Sequence, residues 1–123
     1  MSDYKYDAVV LDVYDGDTVS LRVDLGFHTF VNMKIRLFGI NTPELNTDQG
    51  KLVRDYLKKL IPFGSVITLN SIKDKPDKYG GRWLGILYLL SGLCVNEELI
   101  RLGYAKPWDG KGDKPKYPGV VSC

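Results

Sequence analysis

Apolar residues recur at alternate positions in three successive stretches at the start of the chain. From Tyr6 to Tyr14, the residues Val9, Leu11 and Val13 alternate with Val10, Asp12 and Tyr14, the two-residue period of a strand with one buried face. Asp15-Gly16 suits the left-handed angles of a two-residue hairpin turn. Val19, Leu21, Val23 and Leu25 then alternate against Ser20, Arg22 and Asp24, so a second strand is predicted to run antiparallel to the first. Gly26-Phe27-His28-Thr29 turns the chain again, with His28 as a solvated turn residue, and Val31, Met33, Ile35 and Leu37 mark the inner face of a third strand. On that alternation Arg36 shares the outer side with Asn32 and Lys34, where it is free to serve a surface site.

The period then changes. Thr47-Asp48 offers an N-cap, and Leu52, Val53, Tyr56, Leu57, Leu60 and Ile61 form one apolar stripe at helical spacing, with Lys51, Arg54, Lys58 and Lys59 as a solvated outer face. Pro62 and Gly64 stop this helix. Ser65 to Ile72 and Arg82 to Leu90 read as the fourth and fifth strands, joined by a polar, locally basic loop over 73–81. After the Ser91-Gly92 turn, Val95, Leu99, Ile100 and Leu102 form the buried side of a short second helix closed by Gly103. Periodicity ends at Ala105; Lys106 begins a surface tail, of which 107–123 is irregular and rich in Pro, Gly and Lys. Trp108 is placed on the barrel. Five short strands with a helix between the third and fourth match a five-stranded OB-fold Greek-key barrel, with the second short helix following the fifth strand. A β-sandwich would leave the amphipathic helix without a place.

Length adds that 123 residues fit one domain, 1–123, with room for a core that needs no metal or disulfide staple. Net charge is only +2, so a phosphate-binding site has to be built locally. Cys94 and Cys123 make no disulfide framework; they read as one buried thiol and one tail thiol in a reducing compartment. The polar opening residues lack an apolar leader and no stretch is long enough to span a bilayer, which points to a soluble cytoplasmic protein, taken as a monomer.

Polar chemistry gathers in three places. Arg36-Leu37-Phe38-Gly39-Ile40-Asn41-Thr42-Pro43-Glu44 carries a strand out into a loop that Pro43 stiffens, since proline fixes its own φ and holds Thr42 extended. The others are Asp15-Gly16-Asp17-Thr18 at the first hairpin and Tyr79-Gly80-Gly81-Arg82 before the fifth strand. Each alone has a plain reading: Asp-Gly-Asp is ordinarily a turn, and it fails as an EF-hand because Val19 occupies the third ligand position. Glu44 alone is an early-turn carboxylate and Arg82 a strand-entry cation.

In this order the three clusters resemble the staphylococcal nuclease (thermonuclease) family, and the likeness continues through Val95-Asn96-Glu97-Glu98-Leu99-Ile100 and Gly103-Tyr104-Ala105-Lys106, over about residues 8 to 108. The resemblance implies a Ca2+ site in which Asp17 is a ligand, Asn41 stands where the family's second carboxylate normally lies, Thr42 contributes its main-chain carbonyl and Asp15 acts through water. It implies further that Glu44 orients or deprotonates the attacking water, that Arg36 and Arg82 clamp the phosphoryl oxygens, and that Tyr79 and Lys78 help to hold the nucleotide. The implied activity is calcium-dependent endonucleolytic hydrolysis of DNA and RNA, with little sequence specificity, a guess at single-stranded preference, and 3′-phosphate ends. Two positions depart from the family pattern: Asn41 removes a formal charge from the metal set, and Gly80-Gly81 is one residue longer than Tyr-Gly-Arg. The rival reading is a non-catalytic OB-fold module of the same family that binds nucleic acid or protein.

Overall fold

The computed structural model describes residues 4–76 and 83–107. Among them the strands are β1 (Tyr4–Asp15), β2 (Thr18–Gly26), β3 (Thr29–Leu37), β4 (Ile40–Asn41), β5 (Val66–Pro76), β6 (Trp83–Tyr88) and β7 (Lys106–Pro107). The helices are α1 (Asp48–Leu60), between β4 and β5, and α2 (Val95–Arg101), between β6 and β7. Five strands close into a barrel in the order β1-β2-β3-β6-β5, with β5 returning to β1. All its pairings are antiparallel except β3 with β6, which aligns Ile35 with Trp83 and Leu37 with Gly85. This is the five-stranded OB barrel expected of the pattern, with both helices where the periodicity put them.

The barrel interior holds Val10, Val19, Leu21, Ile35, Leu37, Leu69 and Leu87, and α1 adds Val53 and Leu57 to the same core. Burying a side chain of this size contributes roughly 1.5–3 kcal/mol, so alternation in β2 and β3 is a strong determinant of register. Leu25 at 43% exposure, Val31 at 36% and Leu52 at 57% leave the core faces assigned to them. Thr47 caps α1 as expected, its side-chain oxygen accepting from Gly50 N at 3.0 Å. No helix among the described residues is long and apolar enough to cross a membrane.

Several segments differ from the pattern. In β1 the buried residues are Ala8, Val10 and Val13, not Val9, Leu11 and Val13. A register shift between Val10 and Asp12 inserts a bulge, which returns the odd-numbered residues to the inside only at Val13. The hairpin turn is centred on Gly16-Asp17, and Gly16 is not among the residues with positive φ. Left-handed angles occur instead at the second hairpin, where Gly26 (φ 85°) is followed by Phe27 (φ 55°) and His28 (φ 58°), with His28 exposed.

Lys106 and Pro107 are not tail but β7, pairing antiparallel with Asn41 and Ile40, because the chain leaving α2 passes beside the segment that leaves β3. Strand five of the pattern is shorter than expected, at Trp83–Tyr88, while strand four runs on to Pro76 and so takes the first part of the 73–81 loop into the sheet. Cys94 is half-buried, a free thiol at the N-cap of α2. Cys123, Trp108 and the rest of the tail lie outside the described residues.

Candidate active site

The first hairpin, the end of β3 and the segment after it converge at one end of the barrel. Asp17 is held there by its own backbone: its N–H donates to Asp15 Oδ1 at 3.0 Å, and its carbonyl accepts from Leu37 N at 2.8 Å. Its carboxylate is 8% exposed as a residue and well supplied with donors. Oδ1 accepts from Thr18 Oγ1 at 3.3 Å, while Oδ2 accepts from Thr42 N at 3.3 Å and faces Arg36 Nη2 at 3.6 Å. A residue from the hairpin therefore receives a backbone amide from the loop and a guanidinium from β3.

Arg36 does lie on the outer side of β3, opposite Thr18, but it is only 4% exposed. The expectation of a free surface cation is wrong because the Asn41–Thr42 segment folds back over this end of the strand: Thr42 N and Arg36 Nη2 meet at the same oxygen of Asp17. Arg36 Nη1 also donates to the Leu37 carbonyl at 2.8 Å, which fixes the plane of the guanidinium. Burial raises the strength of such charged contacts by excluding water.

Asp15 stands beside this pair with its carboxyl pushed up to about 6, first by burial and then by the negative charge of Asp17. Two carboxylates are thus crowded together, and the neighbouring Asn41 and Thr42 are both buried, with Thr42 reaching Asp17 through its backbone N–H. The donors are all hard oxygens, the type a Ca2+ ion takes, and a cation there would relieve the crowding of Asp15 and Asp17. No group of three His, Cys, Asp or Glu side chains gathers among the described residues, so the set is lean in charge.

Glu44, two residues after Thr42, is exposed. Its carbonyl accepts from Thr47 N at 3.0 Å and from Thr47 Oγ1 at 2.6 Å, which fastens it to the N-terminus of α1. The remaining site residues expected from the sequence, Lys78, Tyr79 and Arg82 with the Gly80-Gly81 insertion, lie outside the described residues.

Three supporting residues were not singled out for the roles they have. Gly50 is one: a Cβ built on it would lie 1.9 Å from the Glu44 carbonyl oxygen, so the loop can rest on α1 only where that helix has no side chain. Gly16 is another, for a Cβ there would lie 2.6 Å from Val53 Cγ1 and 2.9 Å from Thr42 Oγ1. Asn96 is the third. At 4% exposure it accepts from Leu87 N at 3.1 Å and donates to the carbonyls of Phe38 at 2.9 Å and Gly85 at 3.3 Å. It ties α2 and β6 to the turn that carries the chain from Arg36 to Asn41. Its one signal in the sequence is an amide beside Val95, at the apolar edge of a short helix.

Comparison with known proteins bears on the same segments. The family described as "Staphylococcal nuclease homologue" matches residues 34–118, a stretch holding Arg36, Asn41, Thr42, Glu44, Arg82 and Asn96 but starting after Asp15 and Asp17. "Endonuclease YhcR" of Bacillus subtilis (strain 168) is 32% identical over 135 residues, covering 97% of this chain and 11% of that protein. An "Uncharacterized endonuclease" of Escherichia coli O157:H7 is 31% identical over 109 residues, covering 89% of this chain and 65% of that protein, and another of Escherichia coli matches to the same extent. The chain therefore spans about a tenth of the first relative and just under two thirds of the others.

Proposed function

This chain belongs to the family of staphylococcal nuclease homologues, and from that premise we propose that it is a calcium-dependent nuclease that hydrolyses phosphodiester bonds of DNA and RNA. The observation that carries the reading is the meeting of Arg36 Nη2 and Thr42 N at Asp17 Oδ2, which brings a cation, a carboxylate and a loop amide from three segments to one place. The relatives' names as endonucleases support the same class of reaction.

Asp17, the Asn41 side chain and the Thr42 carbonyl would hold the ion, with Asp15 acting through water. When bound, Ca2+ supplies Lewis-acid polarisation of a phosphoryl oxygen and offsets its charge. Glu44, at the solvent edge, takes a proton from the attacking water as its oxygen bonds to phosphorus. The bond from phosphorus to the 5′ oxygen breaks, that oxygen takes a proton from solvent water, and the phosphate stays on the 3′ side. Arg36 and Arg82 donate to the phosphoryl oxygens, where planar guanidinium donors match the charge that builds up. Lys78 and Tyr79 hold the nucleotide. Low sequence specificity follows because these groups address phosphate and none addresses a base edge.

Asn41 favours one competing reading, a non-catalytic module that binds nucleic acid or protein, since an amide in place of a carboxylate weakens the metal set. Incubating single-stranded DNA with the protein in raised calcium, and in chelator, separates the two. Calcium-dependent cleavage that leaves 3′-phosphate ends is the expected result; salt-sensitive binding without cleavage at any calcium concentration would overturn the nuclease in favour of the module.

A further inference from the structure

Beyond the cluster at Asp17, the outer face of β2 and β3 continues away from Arg36 in a regular order. Register places Thr18 opposite Arg36, Ser20 opposite Lys34, Arg22 opposite Asn32 and Asp24 opposite Phe30. Residues two apart on a strand share a face about 7 Å apart, so Lys34 is the next outward residue after Arg36, and Phe30 lies about 20 Å along. The two cations beyond Arg36 on this face are each laid on an aromatic ring. Lys34 Nζ is 4.6 Å from the Tyr14 ring centroid, and Arg22 Cζ is 4.4 Å from that of Phe30. Both rings keep much of their surface in solvent, Tyr14 at 42% and Phe30 at 47%.

Arg22 and Phe30 also line a groove of about 510 Å³ together with Val9, Leu11, Phe63 and Val66. Phe63 is 81% exposed and Val66 48%, apolar surface beside a cation. Asp7 and Asp24 stand at the same groove, and Asp24 Oδ1 accepts from Gly26 N at 2.8 Å. Cations fixed over exposed rings, beside an apolar groove, are the combination that holds a single polynucleotide strand: charge for the phosphates and flat apolar surface for unstacked bases.

We infer that this face is a binding track for single-stranded nucleic acid, in which Lys34 and Arg22 take phosphates beyond the scissile one, Tyr14 and Phe30 stack bases, and the Phe63 groove receives a further base. The assignment of the scissile phosphate to Arg36 rests on the nuclease reading; the track itself does not need cleavage to be seen. It extends the site by a few nucleotides along β3 and contributes affinity without sequence preference.

The test is fluorescence anisotropy of a labelled oligothymidylate of about twelve nucleotides, a length within the span of one barrel of this type. It is titrated without calcium into the Glu44→Gln protein across about 50 to 200 mM salt. Arg22→Ala with Lys34→Ala should weaken binding and flatten the log–log salt slope by about 1.4, from about 0.7 for each lost phosphate contact. Arg22→Lys with Lys34→Arg should restore the slope. Tyr14→Leu and Phe30→Leu should each weaken binding by about five- to hundredfold through lost stacking. Circular dichroism shows that each variant is folded.

If the double alanine variant leaves affinity and slope unchanged while the wild-type protein cleaves, the track is wrong and the nuclease reading stands. If the wild-type protein cleaves nothing but the salt slope drops as stated, the nuclease reading fails and the track stands. Tighter binding to a duplex of the same length overturns the track. So does self-association that Phe63→Ser abolishes while oligothymidylate binding is unaffected, since the face would then join copies of the chain.

Discussion

Gly50→Ala sets two physical effects against each other, and the geometry of the site decides the sign. In an ordinary helix this change is favourable by about 1 kcal/mol, because alanine loses less conformational entropy than glycine. Here the added Cβ would lie 1.9 Å from the Glu44 carbonyl oxygen, 2.5 Å from its carbon and 2.9 Å from Leu45 Cα, against a floor near 3.0 Å for real contacts. All three are backbone atoms, so no side-chain rotation relieves the overlap, and the loop must withdraw from α1 by roughly an ångström. Withdrawal breaks the bonds from Thr47 N and Thr47 Oγ1 to the Glu44 carbonyl. Each contributes about 1 kcal/mol, and disturbing the Thr47 cap costs about 1 kcal/mol more. The losses exceed the helix-propensity gain, leaving a net destabilisation of about 1–2 kcal/mol. The effect on activity is larger, because a one-ångström displacement of Glu44 costs on the order of a hundredfold in rate. Urea unfolding read by circular dichroism, paired with oligonucleotide cleavage under single-turnover conditions, measures both. A variant about 1 kcal/mol more stable with an unchanged rate would refute the claim that Gly50 seats the Glu44 loop.

Other perturbations test the supporting structure. Asn96→Ala leaves Leu87 N and the carbonyls of Phe38 and Gly85 without their buried side-chain partner, so urea unfolding should show a loss of about 2–4 kcal/mol. Asp15→Asn should stabilise the chelated protein by about 1 kcal/mol at pH 7.5, after allowance for solvent screening, and leave it unchanged near pH 4. The sign follows from a folded-state pKa raised to about 6: between about pH 4 and 6 the folded protein keeps a proton that the unfolded chain has released, so wild-type stability from this group falls as pH rises. The difference between the two unfolding curves across that window is the readout, and added calcium should narrow it. Asn41→Asp restores a formal charge and should tighten calcium binding in calorimetry by at least about tenfold.

Alternation made β2 and β3 legible, because a strand with one buried face fixes its register through residues such as Leu21 and Ile35, both essentially inaccessible. It misled in β1 because a bulge leaves no composition signal: Leu11 is as apolar as Val10 and Val13. The same local reasoning put Arg36 outside. Alternation assigns a face, but whether that face meets water depends on chain outside the strand, here Thr42, six residues on, coming back to Asp17 in the first hairpin. Lys106 and Pro107 have too short a strand to carry a period, and only their partners Asn41 and Ile40 define it. Gly16 and Gly50 look like turn and helix-start residues in the sequence, and their need for space appears only when Val53, Thr42 and Glu44 are placed against them. The family was more legible than the packing, since Asp15, Asp17, Asn41, Thr42 and Glu44 lie in short runs whose order carries the resemblance without any knowledge of their neighbours.

The most direct test of the catalytic account is the single-turnover rate of single-stranded DNA cleavage at saturating calcium, for the wild-type protein and Glu44→Gln. Replacing the carboxylate by an amide keeps the shape of an exposed side chain and leaves the Glu44 carbonyl contacts with Thr47 in place, so folding should be unaffected. Loss of the group that takes the proton predicts a fall of about 10² to 10⁴ in rate with little change in DNA affinity. A Glu44→Gln protein that cleaves at the wild-type rate would contradict the account.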